Sequence, residues 1–306
     1  MATSDATKVG VIGLGSMGLG MAQSIAKRGL RVSGYDISPG AAAKLAAAGG
    51  IAVASSKDAA LDADVLVIVV VNAAQTEVIL FGAHGAAQTM KGGGVIVSCA
   101  TMSPEHARGL AAQAKALGLH YLDAPMSGGT AKAASGQLTV MASGSAEAFD
   151  KARPVLDAIA GTVHELGPEP GIGAAFKMVN QLLAGVHIAA ACEAITFASK
   201  LGLDLPTVYK VITGSAGNSW MFENRVPHVL DGDYSSRSAV NIFTKDLGIV
   251  SDMGRAEKFP LQLSATALQM FLMTAAAGMG GDDDASVARM IAQITGLELP
   301  EAAKAS

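Results

Sequence analysis

The sequence predicts an α/β protein, with a doubly wound, mostly parallel sheet in its first half and an all-helical second half. Three observations predict it. As far as about residue 166, short β-branched runs alternate with Ala-rich stretches of helical spacing, and that alternation builds a parallel sheet with helices on both faces. A Pro/Gly break, GPEPGIG, then interrupts the pattern. Beyond it no strand alternation survives, and apolar residues recur at helical spacing almost to the end.

In chain order, strands are expected at residues 9–12, 31–35, 65–71, 95–98 and 120–122. Helices are expected between them at 17–28, 41–48 and 104–117. Two further strands, 138–142 and 162–166, flank a helix at 146–158. The second half opens with a helix from about 173 to 200, on the order of 40 Å long. Helical segments follow at 205–213, 243–258, 261–279 and 285–294. This pattern sets a boundary near Leu166, with domains at 1–166 and 167–306. A chain of 306 residues is long enough for two cores.

Composition narrows the function. Half of the residues are hydrophobic, 16% are charged and the formal net charge is -4, which favours neither nucleic acid nor an acidic membrane. Cys99 and Cys192 stand in apolar surroundings and read as buried thiols in a reducing compartment. The six histidines are scattered, without HxxxH or a Cys-His cluster, so no metal site is expected. The N-terminal run reads as a strand entering glycines rather than a signal peptide, and the longest clean apolar stretch, 65–71, is too short to span a bilayer. The expectation is a soluble cytoplasmic protein. A helical half this rich in Ala and Met is expected to form a homodimer or homotetramer.

The first motif lies in KVGVIGLGSMGLGMA. Gly13, Leu14, Gly15, Ser16, Met17 and Gly18 form a GxGxxG after one expected strand and at the start of a helix. The first glycine permits the turn, the second admits a pyrophosphate to the backbone, and the third lets helix and strand pack closely. Free N–H groups at the helix start then face the phosphates. The second strand ends in Asp36, placed to accept hydrogen bonds from the adenosine ribose. A carboxylate there repels a 2′-phosphate, and Ile37, Ser38 and Pro39 bring no arginine to bind one. The reading is a Rossmann-type site for NAD. Folds that bind S-adenosylmethionine share the Gly-rich turn and the acid, so a methyltransferase stays open at this point, as does a non-catalytic dinucleotide sensor.

Two further constellations carry chemistry. HYLDAPMSGG ends an apolar strand and continues into Ser127, Gly128 and Gly129, which can form a backbone nest for a carboxylate. In GIGAAFKMVNQ, Lys177, Asn180 and Gln181 stand at i, i+3 and i+4 and share one helix face. A lysine in the second turn opposes the helix dipole. Partial burial and the positive helix end would both lower its pKa toward proton exchange. FTKDLGIV adds Lys245 and Asp246 as a polar pair in an apolar helix.

With GLGSMGLGMA, DAPMSGG, GIGAAFKMVNQ and KDL in this order, the chain resembles the β-hydroxyacid dehydrogenase family over nearly its whole length. The resemblance implies a hydride transfer between a small hydroxyacid and NAD. Lys177 is implied as the catalytic acid/base, and Asn180 as a polar group near the substrate. Ser127, Gly128 and Gly129 are implied as the clamp for the substrate carboxylate. Thr101 is implied beside the nicotinamide ribose, and Val70, Val71 and Asn72 as a loop lining the cofactor. Lys245 and Asp246 match the pair that closes over the site, with Lys245 touching both cofactor and substrate. Where many members have Asn-Asn, this chain has Asn180-Gln181, and the longer Gln181 amide would alter the reach to a substrate hydroxyl. Ser-Arg-Ser-Ala upstream of Lys245, and Asn218-Ser219 beside Trp220, suggest a hydrophilic pocket. These features look most like the branch that oxidises L-threonate to its 2-keto acid. 3-Hydroxyisobutyrate oxidation and tartronate semialdehyde reduction are the alternatives within the family.

Overall fold

The computed structural model describes residues 7–302; the first six residues of the expected N-terminal run lie outside them. The chain divides into two compact units, Met1–Lys177 and Met178–Ser306.

The first unit begins with β1 (Lys8–Ile12), α1 (Gly18–Lys27), β2 (Arg31–Tyr35), α2 (Pro39–Ala47), β3 (Ile51–Ala52) and α3 (Ser56–Ala60). It continues with β4 (Val65–Ile68), α4 (Ala73–Phe81), β5 (Val95–Ser98), α5 (Pro104–Ala116) and β6 (His120–Asp123). Six strands form one parallel sheet in the order β3-β2-β1-β4-β5-β6. Such a sheet is buried on both faces, which explains the unbroken apolar strands. Val65 and Val67 of β4 pack with Val9, Val11, Met21 and Ile25 on one face. Leu66 and Ile68 point the other way, to Ile12, Leu80, Ile96 and Leu110. The strand order reverses at β1, between β2 and β4, and in open α/β sheets ligands bind beyond the strand ends at that point.

A second, three-stranded sheet follows, from β7 (Met126–Ser127), β8 (Leu138–Ala142) and β9 (Ala160–Glu165), with α6 (Gly129–Ser135) and α7 (Ala146–Ile159) between them. β7 runs antiparallel to β8, and β9 parallel to it. The expected strands at 138–142 and 162–166 are therefore present in a sheet of their own. The expected strand at 65–71 stops at Ile68, because the Val71 N–H pairs with the Gln75 side chain at 3.0 Å instead of a neighbouring strand. The short elements β3, α3, α4, β7 and α6 exceed what the periodicity revealed.

Helix α8 (Ile172–Lys200) begins in the first unit and ends in the second. At 29 residues it is about 43 Å long. It is the one helix among the described residues that is long and apolar enough to cross a membrane, and half of its most apolar window is buried inside the protein.

The second unit adds α9 (Leu205–Thr213), α10 (Trp220–Asp231), α11 (Val240–Ala256), α12 (Gln262–Thr274) and α13 (Val287–Thr295). Ile188, Cys192 and Ile195 of α8 pack against Phe222, Val226, Phe243, Leu247 and Phe271. The Phe243 and Phe271 rings stack at 5.1 Å. The expected helix at 261–279 ends at Thr274; a π-helical turn, Ala275–Met279, follows, and Gly278 leaves helical space at φ +89°. α10 was not evident from the sequence, since Pro227 sits inside it; Ser219 caps it by accepting from the Phe222 N–H. Buried polar pairs tie this unit together: His228 Nδ1 lies 2.8 Å from Asp283, and Arg225 holds Asp284. Cys99 and Cys192 are buried free thiols, and burial pushes both of their pKa values up.

Candidate active site

The glycine turn after β1 has the geometry its sequence demands. Gly13 has φ +91°, and a Cβ on it would stand 2.2 Å from the Val69 carbonyl oxygen. A Cβ on Gly18 would meet the Gly13 carbonyl at 1.9 Å, so helix and turn pack too closely for any side chain there. At Gly15 a Cβ would meet nothing within 4 Å, which leaves the backbone open to an incoming group. No side chain caps α1, as is also true of α2 and α6, whereas Asn72, Ser103 and Ser145 cap α4, α5 and α7. Uncapped N–H groups at a helix start, beside an open glycine, suit a pyrophosphate.

Asp36 follows β2 and is half-buried. One carboxylate oxygen accepts the Leu14 N–H at 2.6 Å and the other accepts the Ser38 N–H at 2.7 Å. The acid thus ties the glycine turn to the end of β2. Leu14, Gly15, Ser16, Ser38, Lys44 and Thr130 are among the residues lining a cavity of about 620 Å³ beside this turn. Val70 and Val71 lie in the loop after β4, with Val71 half exposed. Asn72 Oδ1 accepts the Gln75 N–H at 2.9 Å, so its side chain serves as the cap of α4. Thr101 is half-buried in the turn after β5. The open glycine, the uncapped helix and the Asp36 carboxylate together fit a dinucleotide.

The DAPMSGG segment joins β6 to α6. Ser127 lies in β7, paired with Thr139 of β8, so its position is set by a ladder. Gly128 and Gly129 follow at φ +135° and +76°, values that a side chain would strain. Two consecutive left-handed residues turn the chain at once into α6.

The same segment begins with a residue that the sequence reading passed over. Asp123, only 1% exposed, accepts the N–H groups of Gly171 at 2.9 Å and Ala174 at 2.8 Å on one carboxylate oxygen. Ser143, beside it across an antiparallel bridge, accepts the Gly173 N–H at 2.9 Å. These two side chains satisfy the first N–H groups of α8, the helix that carries Lys177. The signal was present, since an acid in an apolar strand must find buried donors. Burial pushes the Asp123 carboxyl up to about 6, against the lowering effect of its hydrogen bonds.

Lys177 sits in the second turn of α8 and is 7% exposed. Asn180 and Gln181 follow on the same helix face. Asn180 Nδ2 donates to Gln181 Oε1 at 3.0 Å. Within the second unit, the Gln181 amide in turn donates to the carboxylate of Asp246 in α11, which is 1% exposed and also pairs with Lys245. The expectation that the Gln181 amide is directed at a substrate hydroxyl thus meets a hydrogen bond to Asp246. Asn180, Gln181, Asp246 and Lys245 form one connected polar chain.

Comparison with known proteins gives the family. Residues 8–167 match the family described as the NAD binding domain of 6-phosphogluconate dehydrogenase. Residues 171–291 match the one described as NAD-binding of NADP-dependent 3-hydroxyisobutyrate dehydrogenase. An L-threonate dehydrogenase of Cupriavidus necator is 52% identical, with 95% of this chain and 97% of that protein covered. A crystal structure titled 3-hydroxyisobutyrate dehydrogenase from Salmonella typhimurium superposes with a TM-score of 0.89 at 51% identity, over 93% of this chain and 99% of that one. A Mycobacterium tuberculosis 3-hydroxyisobutyrate dehydrogenase with L-serine gives a TM-score of 0.80 at 29% identity, over 94% and 99%.

The raised carboxyl of Asp123 has a consequence for stability. Its value in the fold lies above the ordinary carboxylate value of 3.8, so ionising it opposes folding, increasingly as pH rises through about 6. The neutral isostere escapes that cost. Asp123→Asn is expected to raise Tm relative to the parent more at about pH 8 than at about pH 4.5. Thermal melts at the two pH values check this, and equal shifts at both would contradict the assignment.

Proposed function

Since the chain belongs to the 3-hydroxyisobutyrate dehydrogenase-like family of NAD-dependent hydroxyacid dehydrogenases, we propose that it oxidises L-threonate to the 2-keto acid, with Lys177 as general acid/base. Family membership removes the methyltransferase and the non-catalytic reading. The observation that carries the proposal is a lysine 7% exposed on a helix whose first turn is tied down by Asp123 and Ser143. A buried lysine held in one place is suited to proton exchange rather than to solvation.

Each residue has a task in this reading. Ser127, Gly128 and Gly129 hold the substrate carboxylate. Asn180, one turn along from Lys177, orients the substrate hydroxyl. The Gln181 amide, drawn to Asp246, keeps the Asn180 amide in place, and Lys245, paired with Asp246, is the residue that the family resemblance assigns to substrate and cofactor. NAD, when bound, supplies the hydride acceptor. As the C–H hydride leaves C2, Lys177 in its neutral form takes the hydroxyl proton, and the carbon is left as a ketone. Gly13, Leu14, Gly15, Ser16, Met17 and Gly18 present backbone to the pyrophosphate, and Asp36 selects the unphosphorylated ribose. Val70, Val71, Asn72 and Thr101 line the remaining cofactor surface. We place the domain boundary near Leu166, and we read the protein as a cytoplasmic homodimer or homotetramer.

The substrate rests on relatives whose names differ. Those 48–52% identical are named L-threonate dehydrogenase, and the 51% identical structure is titled 3-hydroxyisobutyrate dehydrogenase. An NAD-reduction screen over threonate, erythronate, glycerate, 3-hydroxyisobutyrate and 4-hydroxybutyrate separates them. L-Threonate is expected to give the highest kcat/KM; a preference for 3-hydroxyisobutyrate would replace this reading with the alternative.

Two variants check the assigned roles. Lys177→Ala is expected to lower kcat by about 10²- to 10⁴-fold, the usual contribution of a positioned acid/base, with NADH binding retained. Near-normal kcat would remove Lys177 from the mechanism. A second reading of the cofactor, NADP, is favoured by Lys44, which shares the cavity of Ser38 and could meet a 2′-phosphate. Asp36→Asn keeps an acceptor for the Leu14 N–H and removes the charge. It is expected to narrow the preference for NAD over NADP by about tenfold or more. A parent enzyme that already prefers NADP, or an unchanged ratio, would count against Asp36 as the selector.

A further inference from the structure

We infer that Asp123 is a positioning residue for Lys177: together with Ser143 it sets the axial position and rotation of the first turn of α8, and hence where the lysine amine stands. The inference rests on the reading of Lys177 as the acid/base. It goes beyond that reading in giving catalytic consequence to two side chains that the chemistry does not touch.

The geometry leaves the start of α8 little freedom. A helix N-terminus has four N–H groups without intrahelical partners. Here those of Gly171 and Ala174, together with that of Gly173, find acceptors on two side chains from two different strands' ends. Asp123 and Ser143 are themselves locked together by paired backbone hydrogen bonds of 3.0 and 2.8 Å. The backbone closes in as well, since a Cβ on Gly173 would stand 2.4 Å from the Met141 carbonyl oxygen and 2.8 Å from that of Asp123. The helix start is thus pressed against β6 and β8 with no room for a side chain between. Sliding or turning α8 would break all three hydrogen bonds at once. Lys177 stands three residues beyond Ala174, within the same rigid stretch of helix.

An ordinary helix cap does not account for this side chain. Ser, Asn or Thr can cap a helix without a buried charge, whereas this carboxyl titrates against its surroundings. What the Asp123 side chain offers is reach: one of its oxygens accepts from both Gly171 and Ala174, and the Ser143 hydroxyl bonds to the same carboxyl. Asp123 also lies four residues before Ser127, so one short segment carries both the anchor of the lysine helix and the turn assigned to the substrate carboxylate.

The test uses the full chain and the hydroxyacid selected by the screen above, L-threonate being the expected one. Turnover is expressed per NADH-binding site. Asp123→Ala is expected to lower kcat by about 100-fold, the scale of a misplacement near 1 Å, with the Kd for NADH within about threefold of the parent. Asp123→Asn, whose amide oxygen can accept from the same two N–H groups, is expected to recover most of that loss. A merely structural residue would lower the number of binding-competent sites and Tm, not kcat per site. Retention of kcat within about threefold in Asp123→Ala, or no recovery in Asp123→Asn, overturns the inference. If Asp123→Ala does not fold, Ser143→Ala removes the acceptor of Gly173 alone and decides: a fall in kcat of about fivefold or more supports the inference, and a smaller one overturns it. Lys177→Ala in the same series separates the two failures. If that variant retains turnover, the acid/base reading falls and the inference falls with it; if it is inactive while the Asp123 and Ser143 variants are not, only the inference falls.

Discussion

One buried carboxylate governs the arrangement described above. Asp123 ends β6, the edge strand of the parallel sheet, and receives the first N–H groups of α8. Through that contact the sheet dictates where a helix of 29 residues starts. A helix is stiff, so the residues of its second turn follow from the first. The proposed acid/base, Lys177, is therefore placed by an interaction some 50 residues away in the chain. The cost is visible in the same group, whose carboxyl is pushed up to about 6 by burial.

The cofactor side works by a different economy, through backbone rather than side chains. Gly13 and Gly18 let strand, turn and helix approach to distances that no Cβ allows, and Gly15 keeps the approach open. α1 is left without a side-chain cap, as are α2 and α6, while α4, α5 and α7 are capped by Asn72, Ser103 and Ser145. Asp36 has two duties: it holds the Leu14 and Ser38 N–H groups, and it carries the charge proposed to exclude a 2′-phosphate. A substitution there changes the turn as well as the selectivity, which is why the isosteric Asn is the informative one.

Much of this was readable from sequence because it is local. The strands at 9–12, 31–35 and 95–98 and the glycine fingerprint depend on neighbours within a few residues, and the structure places them as expected. The long helix announced itself by its periodicity. What escaped depends on contacts distant in sequence. Asp123 reads as the end of a strand until Gly171 and Ala174 are seen beside it, 48 and 51 positions on. Gln181 reads as a longer version of a substrate-facing amide until Asp246 is found to hold it from 65 positions away. The family resemblance implies Asn72 in the cofactor loop, and only the structure shows that its oxygen also caps α4. The helix α10 was hidden by Pro227, and the end of α12 by a Gly278 whose left-handed conformation no periodicity reveals.

The most direct measurement of the central claim is hydrogen exchange across residues 168–178 in the parent and in Asp123→Ala. With the carboxylate present, the amides of Gly171, Gly173 and Ala174 are predicted to exchange about as slowly as those of the central strands β1 and β4. In the variant, exchange in this segment is predicted to rise by about 100-fold or more while β1 and the glycine turn are unchanged. Unchanged protection of residues 168–178 in a folded Asp123→Ala protein would contradict the account, because the helix that carries Lys177 would then be held by something else.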